Sequence, residues 1–432
     1  MEEVLLADVL AAREKRALRQ KILLQEYGFP LISFTMNIAG PVKTDDFSRA
    51  AFDLGRQRLL AALSSMGCCV IASEDNSSAA GFEMLLSVDA LPEKLKKICT
   101  LLEDAEPIGR LFDMDVIGCD GEKLSRTEER SCLVCGAVGR ECASRRLHSV
   151  TEIQQVTRKI IQDHFLESEG DEIASLAVRS LLDEVCIAPK PGLVDRFGSG
   201  SHRDMDIFSF NASASALWPY FKKCFKTGNS FSSLPPADLL PALRAPGLEA
   251  ERIMYRVTEG VNTHKGAIYT LGILCAAAGR LWAVGRRPDA ESWLRMCGNI
   301  ASSNAAPGVR EEVAAGLPAV QNIGLPALRR AEAAGFRFND ACLYTLLCLI
   351  SAVRDTNMLS RGGESKADSA RLMVEKYLAG VGIPTADPCL PEAGLIELNQ
   401  YFKSENLSPG GCADLLSAAL LVSRWSSDNS SK

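Results

Sequence analysis

Hydrophobic positions are distributed differently in the two halves of the chain. In the first half, short apolar runs at residues 29–36 (FPLISFTM), 82–88 (FEMLLSV) and 111–117 (LFDMDVI) have the length and residue types of β-strands. A helical pattern over residues 47–63 lies between the first two runs. These features predict a mixed α/β domain, which we place at residues 1–165.

The second half has long apolar runs rich in alanine and leucine, which are both good helix formers. It begins after an acidic stretch, residues 165–172, and a fresh helical pattern starts at Ile173. We predict a nearly all-α domain over residues 171–432, so the whole chain is of the α+β class. Ser408 and Pro409 have the residue types of an N-cap and a first helical position. The clearest helices are expected at residues 267–284, 340–353, 367–379 and 413–425.

Composition narrows the possible partners and the cellular location. A chain of 432 residues is long enough for two cores, and its net charge of -6 argues against a nucleic-acid-binding surface. Fifteen cysteines, with no secretory signal at the start, indicate a reducing compartment, and we expect a cytoplasmic protein. The longest uncharged apolar stretches, residues 266–279 and 341–353, are shorter than the roughly 18–20 residues that cross a bilayer. We therefore expect no membrane partner.

Two acidic residues lie in the apolar run 111–117. Alternation along a strand puts Asp113 and Asp115 on one face, opposite their apolar neighbours, and Arg110 directly precedes the run. Two carboxylates at this spacing repel each other unless a cation lies between them, and Mg²⁺ prefers oxygen ligands and bridges phosphates. The pair therefore predicts a magnesium site, and a solvated strand face with two acids is the alternative.

Two further segments of the first half carry candidate ligands. Residues 37–43 (NIAGPVK) follow the first strand, and Asn37, a glycine and Lys43 suit a phosphate-binding turn; an ordinary turn with an exposed lysine is the alternative. Downstream, a set of sulfur and nitrogen ligands suits a structural tetrahedral zinc site, and a cysteine-rich loop without metal is the alternative. These residues are Cys132, Cys135, Cys142 and His148.

Polar motifs of the second half lie in Gly- and Pro-rich connections between the predicted helices, where active-site residues are commonly displayed. The first motif runs from Lys190 to a second D-x-D pair, Asp204 and Asp206, which His202 precedes. Each motif alone is more typical of a turn or a helix cap, but together they predict a phosphate-binding site. The remaining candidates are Asn262, His264, Lys265, Arg310, Asp355, Asn357, Arg361, Gly410 and Gly411.

These motifs resemble two known enzyme families, one in each half. Residues 1–165 are similar to apo-citrate lyase phosphoribosyl-dephospho-CoA transferase through SFTMNIAGPVK, GRLFDMDV and SCLVC with the downstream Cys142 and His148. Residues 171–432 are similar to triphosphoribosyl-dephospho-CoA synthase through PKPGLVD, HRDMD, GVNTHKG, DTNMLSRGG and LSPGGCADLL. The order of the halves matches the fused, bifunctional form of these bacterial enzymes. The chain departs from the synthase pattern at residues 198–202 and 310–313, which bears on substrate fit and on Glu311.

The resemblance implies a two-step pathway that begins in the second half. There a ribose hydroxyl of dephospho-CoA would attack the anomeric carbon of the ribose of ATP, and adenine would leave while the triphosphate stays attached. Either His202 or His264 would assist proton transfer, and the sequence does not distinguish them. A clamp for the triphosphate would combine magnesium-binding aspartates with basic residues, namely Asp204, Asp206, Asp355, Lys190, Lys265 and Arg361.

The first half would then act as a nucleotidyltransferase-like domain. A serine hydroxyl of the acyl carrier subunit of apo-citrate lyase would attack the phosphorus nearest the ribose and release pyrophosphate. Asp113 and Asp115 would hold Mg²⁺, and Arg110 and Lys43 would hold the pyrophosphate. Two alternatives stay open. One is a non-catalytic, zinc-stabilised adaptor for the carrier subunit fused to an inactive nucleotide-binding helical domain, and the other is the same chemistry serving malonate decarboxylase.

Overall fold

The computed structural model describes residues 4–126, 128–285, 287–302, 308–382 and 389–426. Contacts within the chain divide it into two compact units, Met1–Glu167 and Ser168–Lys432. The first unit contains a small sheet with helices and the second is helical, which confirms the predicted α+β class. Within the described residues, no helix is both long and apolar enough to cross a membrane.

The first unit is built on a four-stranded antiparallel sheet with the strand order β2-β3-β1-β4. Three strands match the predicted ones, and β2 is an addition. The sequence pattern does not indicate β2 because it is polar from Ser73 onwards and its side chains are mostly exposed, so backbone pairing with β3 forms it. The strands are β1 (Leu31–Met36), β2 (Cys69–Ser78), β3 (Gly81–Asp89) and β4 (Phe112–Ile117).

One face of this sheet packs against helices. Phe34 of β1 stacks on Phe52 with ring centroids 4.8 Å apart, and Phe112 meets Phe34 edge-on at 5.6 Å. The register pairs Phe34 with Met114, so the apolar residues of β4 enter this core and the alternating residues turn to the opposite face. The helices of the unit are α1 (Leu6–Tyr27), α2 (Asp46–Ser65), α3 (Pro92–Asp104) and α4 (Gly139–Arg145).

Helix α5 (Val150–Cys186) is continuous and contains the boundary between the two units. The sequence predicts a fresh helical pattern from Ile173, but the helix does not break at Gly170. One glycine inside a helix costs only about 1 kcal/mol relative to alanine, and the surrounding residues are good helix formers. The other helices of the second unit are α6 (Ile207–Ala216), α7 (Trp218–Ser230), α8 (Leu239–Val257), α9 (Lys265–Trp282), α10 (Ala290–Ala301), α11 (Val309–Ala314), α12 (Leu325–Ala333), α13 (Phe338–Ala352), α14 (Thr356–Gly362), α15 (Glu364–Val381), α16 (Glu392–Ser404) and α17 (Gly410–Trp425).

Helix α9 is buried along most of its length and is apolar on all sides, as expected of a helix enclosed by others. Helix α7 packs closely against it. A side chain at Gly228 would overlap the backbone of Ala276, and one at Gly279 would overlap the backbone of Phe225. Both glycines are therefore required by the close approach of the two helices. This packing gives a rigid base to the polar residues that precede α9.

Candidate active sites

The acidic pair of the first unit lies on the polar face of edge strand β4. Asp113 is exposed and Asp115 is half-buried. Their neighbours on β1 are also polar, since Ser33 pairs with Asp115, and Thr35 pairs with Asp113 and donates to its Oδ2 at 3.5 Å. Lys123 forms an ion pair with Asp115. The two carboxylates therefore share one face, with a lysine beside one of them.

Side chains hold the free edge of β4 in place. Glu103 of α3, which is 2% exposed, accepts a hydrogen bond from the Met114 N–H at 2.8 Å. It also pairs with Arg126 at 3.1 Å and with Arg130 at 2.7 Å, and Arg130 donates to the Phe112 carbonyl at 3.0 Å. These contacts fix the strand that carries the acidic pair. The sequence pattern does not indicate this role for Glu103, because one buried acid in an amphipathic helix gives no local signal.

The loop after β1 begins beside the start of β4. Asn37 donates its backbone N–H to the Leu111 carbonyl at 2.8 Å. Lys43 is half-buried, and its Nζ donates to the Ile38 carbonyl at 2.5 Å. Burial and the nearby Arg13 lower the pKa of the Lys43 ammonium. In this structure Lys43 therefore closes the loop and is not presented to solvent as a free cation.

The four predicted zinc ligands come together. The ligand atoms of Cys132, Cys135, Cys142 and His148 all lie within 4.8 Å of one another. The Cys135 Sγ is 3.5 Å from the Cys142 Sγ and 3.3 Å from the His148 Nε2. Gly136 has a φ of +74°, and its N–H donates to the Cys132 carbonyl at 3.0 Å. This bond closes a tight turn after Cys135, which leads the chain on toward Cys142 and His148. Three sulfurs and one ring nitrogen are a donor set that zinc prefers.

The cysteine loop is tied to the start of β4 through Arg110, which donates to the Ser131 carbonyl at 2.5 Å. The thiols of the loop differ in acidity. Hydrogen bonds from backbone N–H groups lower the pKa of Cys132 to about 7, and the hydrogen bond with Cys135 raises the pKa of Cys142 to about 11. Arg110 thus connects the cysteine cluster to the strand of the acidic pair.

The polar motifs of the second unit converge on one cavity of about 1290 Å³. This volume exceeds the roughly 300–1,000 Å³ of a typical small-ligand site, so it has room for more than one nucleotide. Of the residues predicted for this half, Asp206 does not contribute to the lining. The others do, namely Lys190, His202, Asp204, Asn262, His264, Lys265, Arg310, Asp355, Asn357, Arg361, Gly410 and Gly411.

The second D-x-D pair is divided between two locations. Asp206 is the N-cap of α6, where its Oδ1 accepts the Ser209 N–H at 2.9 Å and its own N–H donates to the Ser209 Oγ at 2.9 Å. Asp204 is exposed and lines the cavity. The chain is not a strand here, so residues two apart need not face the same way. Helix initiation accounts for Asp206, and Asp204 is the acid of the pair at the cavity.

Lys190 is 1% exposed and is neutralised by a buried acid. Its Nζ donates to the Glu184 carboxylate at 2.5 Å and to the Glu184 carbonyl at 2.7 Å. The Lys190 N–H donates to the Asp195 Oδ2 at 2.9 Å. The lysine therefore fastens its loop to α5 and does not act as an unpaired cation. Glu184 itself lines the cavity, although no motif in the sequence points to it.

Both ring nitrogens of His202 have partners. Nδ1 is 3.4 Å from an Arg361 guanidinium nitrogen, and Nε2 is 2.8 Å from the Ser408 Oγ. Arginine can only donate, so Nδ1 accepts and the proton lies on Nε2, which donates to Ser408. Burial and Arg361 lower the pKa of His202, so the ring is neutral near pH 7. Arg361 also donates to the Ser201 and Asn406 carbonyls, at 2.5 and 3.0 Å.

Ser408 does not act as an N-cap, in contrast to the prediction. Helix α17 begins at Gly410, Pro409 is at its N-cap position, and the Ser408 hydroxyl bonds to His202 instead. A histidine brought in from more than two hundred residues away competes for the hydroxyl, and no local pattern reports such a contact.

Asp355 connects the start of α14 with the start of α17. One oxygen accepts two backbone N–H groups at the start of α14, at 2.8 and 3.1 Å, and the other accepts the Cys412 N–H at 2.9 Å. A side chain on Gly411 would lie 2.9 Å from the Asp355 Oδ2, and one on Gly410 would lie 2.8 Å from the Asn357 amide. The glycine pair is therefore required because these two helix starts dock closely.

Asp414 also lines the cavity, although its position within a predicted helix does not indicate a functional role. Its Oδ2 lies against Gly266, where any added side chain would overlap it. Burial of the carboxyl, together with the nearby Glu184 and Asp355, raises the pKa of Asp414 well above its ordinary value. The Asp414 carboxyl reaches the start of α9 only because α17 and α9, which are distant in sequence, pack together here.

The remaining residues of the site lie near the start of α9 or at the rim. Asn262 Oδ1 accepts the Lys265 N–H at 3.2 Å, and the Lys265 Nζ is 3.4 Å from a Glu251 carboxylate oxygen. Arg310 is exposed, with its guanidinium carbon 5.8 Å from the centre of the Tyr269 ring. These two cations are the more accessible basic residues among those predicted for the cavity.

His264 is buried at the start of α9, and its Nδ1 is 2.7 Å from the Ser213 Oγ. Burial, together with the charge of Lys190, lowers the pKa of His264 to about 3. The ring is therefore neutral throughout the physiological range. The two candidate histidines differ, since both nitrogens of His202 are bonded and His264 keeps one nitrogen available.

Comparison with known families covers both units. Residues 4–164 match the family described as apo-citrate lyase phosphoribosyl-dephospho-CoA transferase. Residues 170–298 and 287–432 match the family described as ATP:dephospho-CoA triphosphoribosyl transferase. Each family coincides with the half in which the sequence motifs resemble it.

Curated relatives include proteins with the same two-part organisation. Protein CitXG of Haemophilus influenzae is 31% identical over 97% of this chain and 96% of its own length. Protein CitXG of Leuconostoc mesenteroides subsp. cremoris is 30% identical over 98% of this chain and 97% of its own length. The 2-(5''-triphosphoribosyl)-3'-dephosphocoenzyme-A synthase of Pectobacterium atrosepticum is 36% identical and aligns with 62% of this chain and 93% of its own length. The chain therefore belongs to the CitXG family of bifunctional transferases, as its motifs predict.

Proposed function

We propose that this protein makes the citrate lyase prosthetic group from ATP and dephospho-CoA and then attaches it to the lyase. In the C-terminal unit, the two substrates are joined and adenine is released. In the N-terminal unit, the product is transferred to a serine of the apo-citrate lyase acyl carrier subunit and pyrophosphate is released. The observation that carries the proposal is the convergence of the polar motifs of the second unit on one cavity, in a chain of this family.

The first reaction exchanges one bond at the anomeric carbon of ATP. A new bond to a ribose oxygen of dephospho-CoA forms, the bond to adenine breaks, and the hydroxyl proton must pass to a base. We assign that base to Asp414 instead of His202, because both His202 nitrogens are occupied. Asp414 lies in the cavity wall, and burial together with Glu184 and Asp355 raises the pKa of its carboxyl well above the ordinary value, which makes the carboxylate a stronger base than a surface aspartate.

Magnesium would accompany the triphosphate of ATP in this cavity. Asp206 caps a helix outside the cavity lining and Asp355 accepts three backbone N–H groups, which leaves Asp204 as the acid of the predicted set that is exposed at the cavity. One or two carboxylates together with substrate phosphates are sufficient to hold Mg²⁺. Asp204 would therefore hold the ion, which offsets polyphosphate charge when bound. Lys265 and Arg310 would contact the phosphates directly.

The other two basic residues of the cavity would act through the loops that they hold. Lys190 is bonded to Glu184, and Arg361 is bonded to His202 and to backbone carbonyls. The two residues would keep the segment 190–202 and the loop that contains Asn406 in place around the cavity.

The second reaction would take place on the polar face of β4. Asp113 and Asp115 share this face and would hold Mg²⁺ against the triphosphate. The carrier serine would form a bond to the phosphorus nearest the ribose, and the bond to pyrophosphate would break. Lys123, which pairs with Asp115, would be a cation for the leaving pyrophosphate, whereas Lys43 and Arg110, which donate to backbone carbonyls, would hold the loops beside the site.

A structural zinc ion fits the cluster of Cys132, Cys135, Cys142 and His148. The donor set of three sulfurs and one nitrogen suits a tetrahedral ion, and the four ligand atoms already lie within 4.8 Å of one another. Protein ligands would fill all four positions, so zinc would stabilise the fold and take no part in the reaction. It would also fix the loop to which Arg110 is bonded.

Adenine release tests the proposal directly. Purified protein is incubated with ATP and Mg²⁺, with and without dephospho-CoA. Adenine is quantified by chromatography, and the mass of the product is measured by mass spectrometry. We expect adenine only with dephospho-CoA, and a product that contains both substrates less adenine. Adenine release without dephospho-CoA would show simple hydrolysis of ATP, and no release under either condition would refute the assignment.

A further inference from the structure

His264 and Ser213 form a buried pair at one wall of the cavity. Ser213 lies in α6 and is 0% exposed, and His264, directly before α9, is 3% exposed. The Ser213 Oγ is 2.7 Å from the His264 Nδ1. The Phe210 ring packs edge-on against the imidazole, with centroids 4.9 Å apart and planes at 78°. The serine and the phenylalanine together give the histidine ring a single orientation.

This orientation leaves Nε2 without a partner. Among the residues that the structure describes, none forms a hydrogen bond with the His264 Nε2, although this atom is buried. Leaving a buried polar atom unpaired costs about 1–3 kcal/mol. His264 also lines the cavity. The unpaired nitrogen therefore indicates a ligand atom that bonds to it when substrate is present.

Counting the buried hydrogen-bonding groups that stay unpaired assigns the tautomer of His264. The bond to His264 Nδ1 is the one hydrogen bond that the described part of the chain gives to the Ser213 hydroxyl. If Nδ1 carried the proton and donated it, the hydroxyl hydrogen would be buried without an acceptor. If the hydroxyl donates to Nδ1, that hydrogen is used and the ring proton lies on Nε2. The first arrangement leaves two groups unpaired, the hydroxyl hydrogen and the Nε2 lone pair, whereas the second leaves only the Nε2–H, which a ligand in the cavity can accept.

We infer that Ser213 is a positioning residue that holds His264 in the Nε2–H tautomer, so that the ring donates a hydrogen bond to an acceptor atom of ATP in the cavity. The inference rests on the synthase reaction proposed above. The bond stabilises negative charge as it develops on the departing adenine or on the phosphates, and no proton is transferred through it. His264 is therefore a donor, in contrast to the proton-accepting role that the sequence leaves open for it.

The charge state of the ring makes the tautomer decisive. His264 is neutral near pH 7, because burial and Lys190 disfavour its protonated form. A neutral imidazole donates from one nitrogen only, so the partner of Nδ1 determines what Nε2 presents to the cavity. A cationic ring would donate from both nitrogens whatever its partner, and Ser213 would then have no influence.

Nitrogen-15 NMR of the full chain reads the tautomer without any activity assay. The chain has four histidines, so the His264 signals are identified by their loss in His264→Gln. We expect a protonated Nε2 and a hydrogen-bonded, unprotonated Nδ1, with no titration between pH 5.5 and 8.5. Ser213→Ala should move the Nδ1 shift toward that of a free imine nitrogen, and Ser213→Thr should restore it. A proton on Nδ1 in the wild type, or an Nδ1 shift unchanged in Ser213→Ala, would overturn the inference.

The rate of adenine release in two His264 variants distinguishes a hydrogen-bond donor from a general base at this position. The glutamine amide nitrogen can occupy the position of Nε2 and donate, whereas the asparagine amide is shorter and reaches only the position of Nδ1. We expect His264→Gln to stay within about tenfold of the wild type and His264→Asn to lose on the order of a hundredfold in kcat. Ser213→Ala should lower kcat about tenfold with KM little changed. Equal losses in the glutamine and asparagine variants would contradict the donor role. If the wild type released no adenine, the synthase proposal would fail while the NMR result would still stand or fall by itself.

Discussion

The same D-x-D spacing has two different structures in this chain. In the first unit, Asp113 and Asp115 lie on a strand, so both carboxylates project from one face. In the second unit, Asp204 lines the cavity while Asp206 caps a helix. Two residues that are two positions apart share a face only where the backbone is extended. The comparison shows that a motif predicts paired ligands only together with the element that carries it.

The two sites also differ in what holds them. The first is on a sheet face whose edge strand is fastened by Glu103, Arg130 and the loop of the cysteine cluster. The second is a cavity whose loops are fixed by buried polar contacts such as Lys190 to Glu184. Substitutions near the first site should therefore act through the contacts that hold β4. The second site depends instead on the packing of segments that are distant in sequence.

The largest effect is expected from the cysteine cluster. Purified protein should contain about one zinc ion per chain, and Cys132→Ser with Cys135→Ser should remove it. Binding of a structural zinc ion is worth roughly 10 kcal/mol in small domains, so the first unit should lose its fold and carrier transfer should cease. Metal analysis and calorimetry measure this, with adenine release as the control that should persist. A metal-free native protein of unchanged stability would show that the cysteines are only a loop.

The next largest effect is expected from the acidic pair on β4. Asp113→Asn keeps the shape of the side chain but removes a charge that would hold magnesium against the triphosphate. Carrier transfer should fall on the order of a hundredfold or more, about 3 kcal/mol in activation free energy, while adenine release should be unchanged. Carrier transfer is followed by the intact mass of the carrier, and adenine release is followed by chromatography. Wild-type transfer rates would mean that the pair is a solvated strand face.

Asp204→Asn and Asp206→Asn form a matched pair in the second unit. Asparagine is as good an N-cap as aspartate, so Asp206→Asn should change adenine release by less than about twofold. Asp204→Asn should lower it on the order of a hundredfold, because the exposed carboxylate at the cavity would be lost. The rates of both variants are compared at saturating ATP. Equal losses in the two variants would restore the paired-ligand role that the sequence alone predicts.

A comparable effect, about a hundredfold, is expected from Asp414→Asn. The ionised carboxylate would be the active form, so the wild-type rate should fall as pH drops through its pKa, which burial, Glu184 and Asp355 raise above the ordinary value. The variant should lose this acid limb. A raised carboxyl pKa favours folding when the group is protonated and loses that contribution as pH rises, so the variant should melt no lower than the wild type at pH 7.5. An unchanged pH–rate profile would exclude Asp414 as the base.

The sequence predicted the regular elements well where hydrophobic patterns are strong. Strands β1, β3 and β4 and the buried helices of the second unit follow their apolar runs, and the cysteine cluster follows its spacing. The polar strand β2 has no such pattern, and it forms because β3 offers a backbone edge. Local patterns therefore sufficed for elements that are stabilised by their own residues.

The orientation of single side chains in loops could not be predicted in the same way. Lys190 pairs with Glu184, Ser408 bonds to His202, and Asp355 accepts the Cys412 N–H from a different segment. Glu103 and Asp414 were missed for the same reason, since each becomes notable only through residues that are distant in sequence. Tertiary docking decides which polar group faces the ligand, and sequence spacing does not contain that information.

We propose that one chain contains two consecutive transferases with separate sites. The most direct test incubates the full chain with ATP, dephospho-CoA, Mg²⁺ and the apo-citrate lyase acyl carrier subunit, and measures adenine, pyrophosphate and the intact mass of the carrier together. We expect one adenine and one pyrophosphate for each carrier that gains phosphoribosyl-dephospho-CoA on a serine. Carrier modification without adenine release, or adenine release that never leads to a modified carrier, would contradict it.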